Sequence, residues 1–343
     1  MGNTIQPDAD SIRSSAQWHF HDFDPQAGTA SLLQLEEYAY RSASFLDQRA
    51  EPLASARAQL SLAELESALT APADGDGHFQ TAHFIFHHGH CGSTLLSRAL
   101  AAGGKVLPLR EPMTLRRLAA DPGLGGLLEV TITAHSRTFG SDQLAMVKAT
   151  STCNSLIRPI LNACKHARAI LMYVPLECFL AGMLGKQSPG LDLKGHAPSR
   201  LSDWNRIEKA PPLQLQQLGE PQLAVLAWLT CVNLMLAAVV DFPGRARMFN
   251  FEEWLDQPES GLQDCTQFFG IDSESQSVLS AWPDISTGYS KKPDEPYSAF
   301  NRRRTLQRGR HLRGEEIHNA LAWARQLVEQ TPELEKTRDL FGA

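Results

Sequence analysis

The feature that most constrains this chain is the run Gly89-His90-Cys91-Gly92-Ser93-Thr94, set between the apolar stretch His83-Phe84-Ile85-Phe86-His87 and the helix-forming pair Leu95-Leu96. A short β-rich segment that ends on glycines and resumes with helix formers reads as strand, tight turn and helix. Such a turn aims backbone N–H groups and the positive end of a helix dipole at one spot, which makes an anion site. Gly89 and Gly92 permit the turn, while Ser93 and Thr94 add hydroxyl donors at the helix start. A nucleotide-hydrolysing loop reads Gly-x-x-x-x-Gly-Lys-Ser/Thr, yet His87 stands at its first glycine and Ser93 at its lysine. The loop therefore suits a phosphate and disfavours ATP or GTP hydrolysis of that type. The same glycines also read, more blandly, as a tight strand-to-helix connection with no ligand.

Strand-like and helix-like segments alternate after the loop. Strands are expected at 83–87, 105–109, 144–149, 169–174 and 247–251, with helices between them at 93–102, 112–120, 124–139, 154–166, 176–185 and 223–240. That order predicts an α/β fold: three layers, α/β/α, around a mostly parallel central sheet. Short helices follow at 252–255, 261–269 and 275–282, then an irregular basic segment and a last helix at 315–330. Residues 1–77 are expected to form a helical N-terminal extension closed by a linker at 71–77, where Pro72, Asp74, Gly75 and Asp76 cluster. The main domain spans 78–313, and residues 314–343 form a C-terminal helix packed on it. Within the domain, residues 187–219 are rich in Pro, Gly and polar residues and read as a lid-like loop or short-helix excursion.

At 343 residues and 43% hydrophobic composition the chain has ample material for a packed core. A formal net charge of −6 gives no overall attraction to nucleic acid or anionic lipid, although a local basic patch would still bind phosphate. The six cysteines show no CxxC spacing, which favours a reducing, cytoplasmic setting, and no export or lipidation signal is expected at Met1-Gly2-Asn3. Residues 223–240 lack charge, but Thr230, Cys231 and Asn233 inside them and a core strand after them favour an interior helix over a membrane span.

His83, His87, His88, His90 and Cys91 are metal-capable residue types. Neighbours on a strand point to opposite faces, so no metal is expected. Cys91 at a helix N-terminus is either an activated thiol or, as favoured here, a small residue filling the loop. Trp204, Trp228, Trp254 and Trp282 are expected to be packing residues.

Taken in order, several motifs resemble the sulfotransferase family, in particular divergent bacterial members of P-loop type. The family's first strand leads into Pro-Lys-Ser-Gly-Thr-Thr, or Arg-Ser-Gly-Thr-Thr in bacterial branches, similar to the loop at 89–94. Lys148-Ala149-Thr150 with Asn154, then Ile170-Leu171-Met172-Tyr173-Val174-Pro175, resembles a Lys-x-Pro-x-Asn run followed by a strand ending in Arg-Asp-Pro. Phe251-Glu252-Glu253-Trp254-Leu255 is similar to a later Tyr-Glu-Asp-Leu piece. The resemblance covers residues 80–300.

It implies 3′-phosphoadenosine 5′-phosphosulfate as cofactor and sulfuryl transfer to a hydroxyl or amine acceptor, a small molecule or peptide. Transfer needs a base and cationic donors. Glu111 is the candidate base, with His90, at the family's loop Lys or Arg, and Lys148 as electrophilic aids. Gly89, His90, Cys91, Gly92, Ser93 and Thr94 would hold the 5′ end of the cofactor. Tyr173 and Ala181 stand where the family has the Arg and Ser that bind the 3′-phosphate, and Lys291 and Arg303 in the basic segment are expected to replace those contacts. A non-catalytic nucleotide-binding or regulatory protein, and a nucleotide-dependent kinase or phosphotransferase, are the alternative readings.

Overall fold

The computed structural model describes residues 3–70, 81–186, 190–271, 275–286, 288–289, 292–296 and 298–342. In the first seventy residues the expected helical extension is replaced by a four-stranded mixed sheet. Strands β1 (Asn3–Thr4), β2 (Trp18–Asp24), β3 (Thr29–Gln34) and β4 (Ala56–Ser61) lie in the order β1-β4-β3-β2. Only short helices, α1 (Ala9–Ser14), α2 (Glu37–Ser42) and α3 (Leu62–Thr70), accompany them. β2 and β3 carry buried residues on both faces, so their sequences lack the alternation that marks a half-exposed strand. The linker expected at 71–77 lies outside the described residues.

The centre of the molecule is a second sheet of five parallel strands: β5 (His83–His87), β6 (Val106–Arg110), β7 (Leu144–Lys148), β8 (Ala169–Tyr173) and β9 (Ala246–Asn250). Their order is β6-β7-β5-β8-β9. β5 is therefore the middle strand, and the chain leaves it toward one edge and later crosses to the other. Ligands of open parallel sheets gather at the carboxyl ends of strands where the winding reverses in this way.

The helices that connect the strands are α4 (Ser93–Ala101), α5 (Met113–Ala120), α6 (Leu128–Ser136), α7 (Ile157–Ala163), α8 (Leu176–Leu184), α9 (Gly190–Trp204) and α10 (Glu220–Asp241). Beyond β9 come α11 (Phe251–Asp256), α12 (Pro258–Phe269) and α13 (Ser275–Ser286). A short antiparallel pair, β10 (Gly288–Tyr289) and β11 (Lys292–Pro296), precedes α14 (Ala299–Gln330), whose two helical parts meet at a kink at Arg313 (φ −132°, ψ 24°). Two sequence expectations are corrected here. The excursion at 187–219 holds the 15-residue helix α9, which tolerates Pro198 in its interior. The basic segment is strand and then helix, with Arg302, Arg303 and Arg304 in the first turns of α14.

Side chains alternate between two cores across the central sheet. Ile85, Met146, Ile170 and Met172 point toward the helices of the C-terminal half, while Phe84, Phe86, Val147 and Leu171 join a core shared with the N-terminal sheet. Burial on both faces is why these strands are near-continuously apolar. Trp204, Trp228 and Trp254 are buried packing residues, and Trp282 lies 5.1 Å from Trp254, ring centre to ring centre. Among the described residues α10 is the one helix long and apolar enough to cross a membrane, and 72% of its most apolar stretch is buried inside the protein.

Two buried arginines fasten the first seventy residues to the central fold. Arg137 donates through Nη2 to Trp18 O (2.7 Å), through Nη1 to Ser15 O (3.2 Å) and to Ile12 O, and through Nε to Ala134 O (2.9 Å). Arg110 donates to Ala43 O (2.9 Å) and Arg41 O (3.1 Å). Burial pushes both guanidinium groups down to about 10, and carbonyl acceptors offset the desolvation of the charge.

Buried imidazoles give the fold an acid sensitivity. Burial lowers His83 to about 4 and His88 and His135 to about 3, and holds His19 well below the ordinary value of 6.5. Below about pH 6.5 the unfolded chain takes up protons that the folded chain refuses. The associated stability is thus full above that pH and is lost as pH falls, by about 1.4 kcal/mol per pH unit for each such histidine. Urea midpoints at pH 7.5, 6.5 and 5.5 should fall progressively. A constant midpoint would mean that these rings gain protons freely in the folded state.

Candidate functional site

The chain leaves β5 through a turn that only a few backbone conformations allow. Gly89 (φ +98°), His90 (φ +54°) and Gly92 (φ +71°) all lie in the left-handed region. A non-glycine residue held there costs about 1–3 kcal/mol, and His90 is such a residue, as is Glu111 (φ +53°) across the site. Three contacts hold the turn in place. The Gly89 N–H donates to His87 Nδ1 (2.9 Å), the Asn154 amide donates to His87 O (3.1 Å), and the Val174 N–H donates to His88 Nε2 (2.8 Å). His87 and His88 are thus brackets between β5 and the ends of its neighbours, and no metal-binding cluster exists among the described residues.

Phe251, the first residue of α11, roofs the loop. A Cβ on Gly92 would lie 2.0 Å from its ring, so the glycine is required by space as well as by φ. Gly92 also caps α4 without a side chain, so no side chain of the cap competes for the first-turn N–H groups. Ser93, Thr94 and Leu95 of that turn line a cavity of about 430 Å³. Cys91 is fully buried, and its thiol, raised to about 12 by burial, is a filler that donates weakly to Met172 O (3.4 Å).

Glu111 and Lys148 reach the same cavity from the ends of β6 and β7. Their strands are adjacent, and the Glu111 N–H donates to Lys148 O (2.7 Å). This register places the two side chains together as an ion pair with Lys148 buried and Glu111 half-buried. The Lys148 ammonium also lies 5.5 Å from the centre of the Phe45 ring. Removing one member of such a pair strands a buried charge, at a cost of about 3–5 kcal/mol.

His90 lies against Lys186, whose Nζ is 3.0 and 3.2 Å from the two ring nitrogens. Lys186, just past α8, thus stands beside the loop next to His90. Arg302 enters from α14, donating through Nε (3.0 Å) and Nη2 (2.6 Å) to Glu252 Oε1. It fits because Gly182 on α8 has no side chain: a Cβ there would sit 3.2 Å from Arg302 Nη1. From α9, His196 and Arg200 also line the cavity.

The cavity thus brings together Gly89, His90, Cys91, Gly92, Ser93, Thr94, Glu111 and Lys148 from the residues singled out by sequence. Arg303 does not join them. It is 65% exposed and pairs with Asp256 at 2.5 Å on the outer surface, because adjacent helical residues point about 100° apart. Its neighbour Arg302 takes the inward position. Lys291 lies outside the described residues. Lys186 and Arg200 were not legible as site residues: a lone lysine after a helix and a lone arginine beside Pro198 carry no motif.

No family model and no curated protein matches the chain. Among solved structures the fold is similar to the sulfotransferase domain from the curacin biosynthetic pathway, with 11% identity and a TM-score of 0.38, over 68% of this chain and 97% of that one. It is also similar to the sulfotransferase domain of the Synechococcus PCC 7002 olefin synthase, with 16% identity and a TM-score of 0.38, over 74% of this chain and 98% of that one.

The double constraint on Gly92 is testable. Gly92→Ala should destabilise the protein by about 2 kcal/mol or more, combining left-handed strain with overpacking against Phe251. Gly104→Ala, also at positive φ (+98°) but in open space, should lose only the backbone part. Equal losses in denaturant titrations would show that Phe251 yields without cost.

Proposed function

We propose that the protein is a sulfotransferase that takes its sulfuryl group from 3′-phosphoadenosine 5′-phosphosulfate and passes it to a hydroxyl or amine acceptor. The observation that carries this reading is the meeting of an anion-cradling loop, a carboxylate and several cations in one cavity. The residues fit such a donor. The α4 first turn with Ser93 and Thr94 would hold its 5′-phosphosulfate end. Arg302, set against α8 at Gly182, would meet the 3′-phosphate that the family's Arg and Ser hold and that Tyr173 and Ala181 do not provide.

When bound, the donor supplies an electrophilic sulfur joined to a phosphate leaving group. The protein's part is to orient, to move a proton and to stabilise charge. Glu111 offers its carboxylate to the cavity and is the group to accept the acceptor's proton as its oxygen or nitrogen attacks. Lys148, paired to Glu111, holds that carboxylate in place and carries a compensating positive charge. Lys186, against His90, supplies a cation next to the loop, where negative charge grows on the leaving phosphate. Leu95, Phe179, Met183 and Phe251 line the cavity beside these groups, and apolar neighbours strengthen each electrostatic interaction.

Calorimetric titration with 3′-phosphoadenosine 5′-phosphate, against ATP and GTP, tests donor recognition. Selective binding of the bisphosphate is expected, and Thr94→Ala should weaken it by about tenfold or more, the worth of a hydrogen bond to a charged group. Preference for ATP or GTP would move the reading to a phosphotransferase.

Glu111→Gln should leave bisphosphate affinity within about twofold while lowering transfer from radiolabelled donor to phenol or amine acceptors by about a hundredfold or more. Near-normal transfer would remove Glu111 as the base.

A further inference from the structure

Arg200 is the buried cation of this cavity that the proposed chemistry does not use. It sits on α9, is 3% exposed and lines the cavity one helical turn beyond His196. Its Nη2 donates to Ser151 O at 2.8 Å, which fixes the guanidinium beside the residues that follow β7. Its Nε and Nη1 have no hydrogen-bond partner among the described residues. Asp203, one turn away, is 3.9 Å from Nη1, in the range of an ion pair and beyond that of a hydrogen bond, and its Oδ1 accepts instead from Arg206 at 3.1 Å.

Buried polar groups are nearly always paired, so unpartnered guanidinium donors just behind a cavity wall mark the place of an acceptor that arrives from outside and that a small turn of the side chain would meet. A guanidinium held on one side and unpaired on the other suits a carboxylate or phosphate. We propose that Arg200 is the anchor for an oxyanion carried by the acceptor, so that the acceptor is a molecule with an anionic group as well as the hydroxyl or amine that is modified. The choice of acceptor as the source rests on the transfer reading given above.

Position favours the acceptor over the donor. Arg200 is tied to Ser151, three residues after Lys148, on the β7 side of the loop where Glu111 also opens. Arg302 lies on the other side of β5, against α8, which follows β8. The two arginines therefore serve opposite flanks of the central strand. Phe179, Met183, Leu193 and Ala227 line the cavity as well, so the anionic group is expected on an apolar body.

The test uses a matched pair of probes, 4-hydroxybenzoate and 4-hydroxybenzamide, which share the ring and hydroxyl and differ in charge. Each is titrated into the wild-type full chain with and without saturating 3′-phosphoadenosine 5′-phosphate. The benzoate should bind at least tenfold more tightly than the amide. Arg200→Gln should erase that difference while leaving bisphosphate affinity unchanged, and Arg200→Lys, which keeps the charge without the planar fork, should retain part of it.

Equal binding of the two probes by the wild-type protein would overturn the proposal without needing any variant to fold. Loss of bisphosphate affinity in Arg200→Gln, with probe discrimination intact, would overturn it in favour of a donor contact. Failure of the wild-type protein to bind the bisphosphate would count against the transfer reading alone, since discrimination between the probes is measured in its absence too.

Discussion

The left-handed bend at the end of β5 is the constraint around which the rest of the site is arranged. A chain that turns through Gly89, His90 and Gly92 at positive φ carries strain at His90, and the contacts around the turn hold it there. His87 and His88 tie it to the ends of neighbouring strands, and Phe251 closes over Gly92 with no room for a side chain. Because β5 is the middle strand, everything that reaches the loop comes from strands and helices on both of its flanks. The bend also decides the electrostatics, since a glycine cap leaves the first turn of α4 without a side-chain partner facing the cavity.

Charge is organised against the overall balance. The chain carries a net −6, yet Lys148, Lys186, Arg200 and Arg302 converge on one cavity. Each of three cations is held next to an acidic residue: Lys148 by Glu111, Arg302 by Glu252, and Arg200 loosely by Asp203. Pairing of this kind lets several cations remain buried together, because an isolated buried charge is far more costly than a paired one. It also fixes their positions on the cavity wall.

Legibility followed burial and range. The central strands and the loop were readable, since a fully buried parallel strand must be apolar throughout and a tight strand-to-helix turn demands glycine. The N-terminal sheet was not. β2 and β3 are buried on both faces and lose the period of two, and β4 alternates in burial but with Ala at inward positions, where the contrast in hydropathy is weak. In the site, Gly89 to Thr94, Glu111 and Lys148 stood next to recognisable elements. Arg200 was hidden by Pro198, which made a helical stretch read as a loop, and Arg303 was preferred to Arg302 because a run of arginines does not reveal which one faces inward.

What the sequence determined by itself was local: a buried strand, a glycine turn, a helix start with two hydroxyls, and the alternation that builds a parallel sheet. These follow from backbone sterics and from the periods of strand and helix, which act over a few residues. The tertiary structure alone decided which cations share the cavity, that Lys186 joins His90 beside the loop, and that Arg200 borders it. Those groups are spread along the chain from His90 to Arg302, and only the packing of α8, α9 and α14 around the carboxyl end of β5 brings them to one cavity.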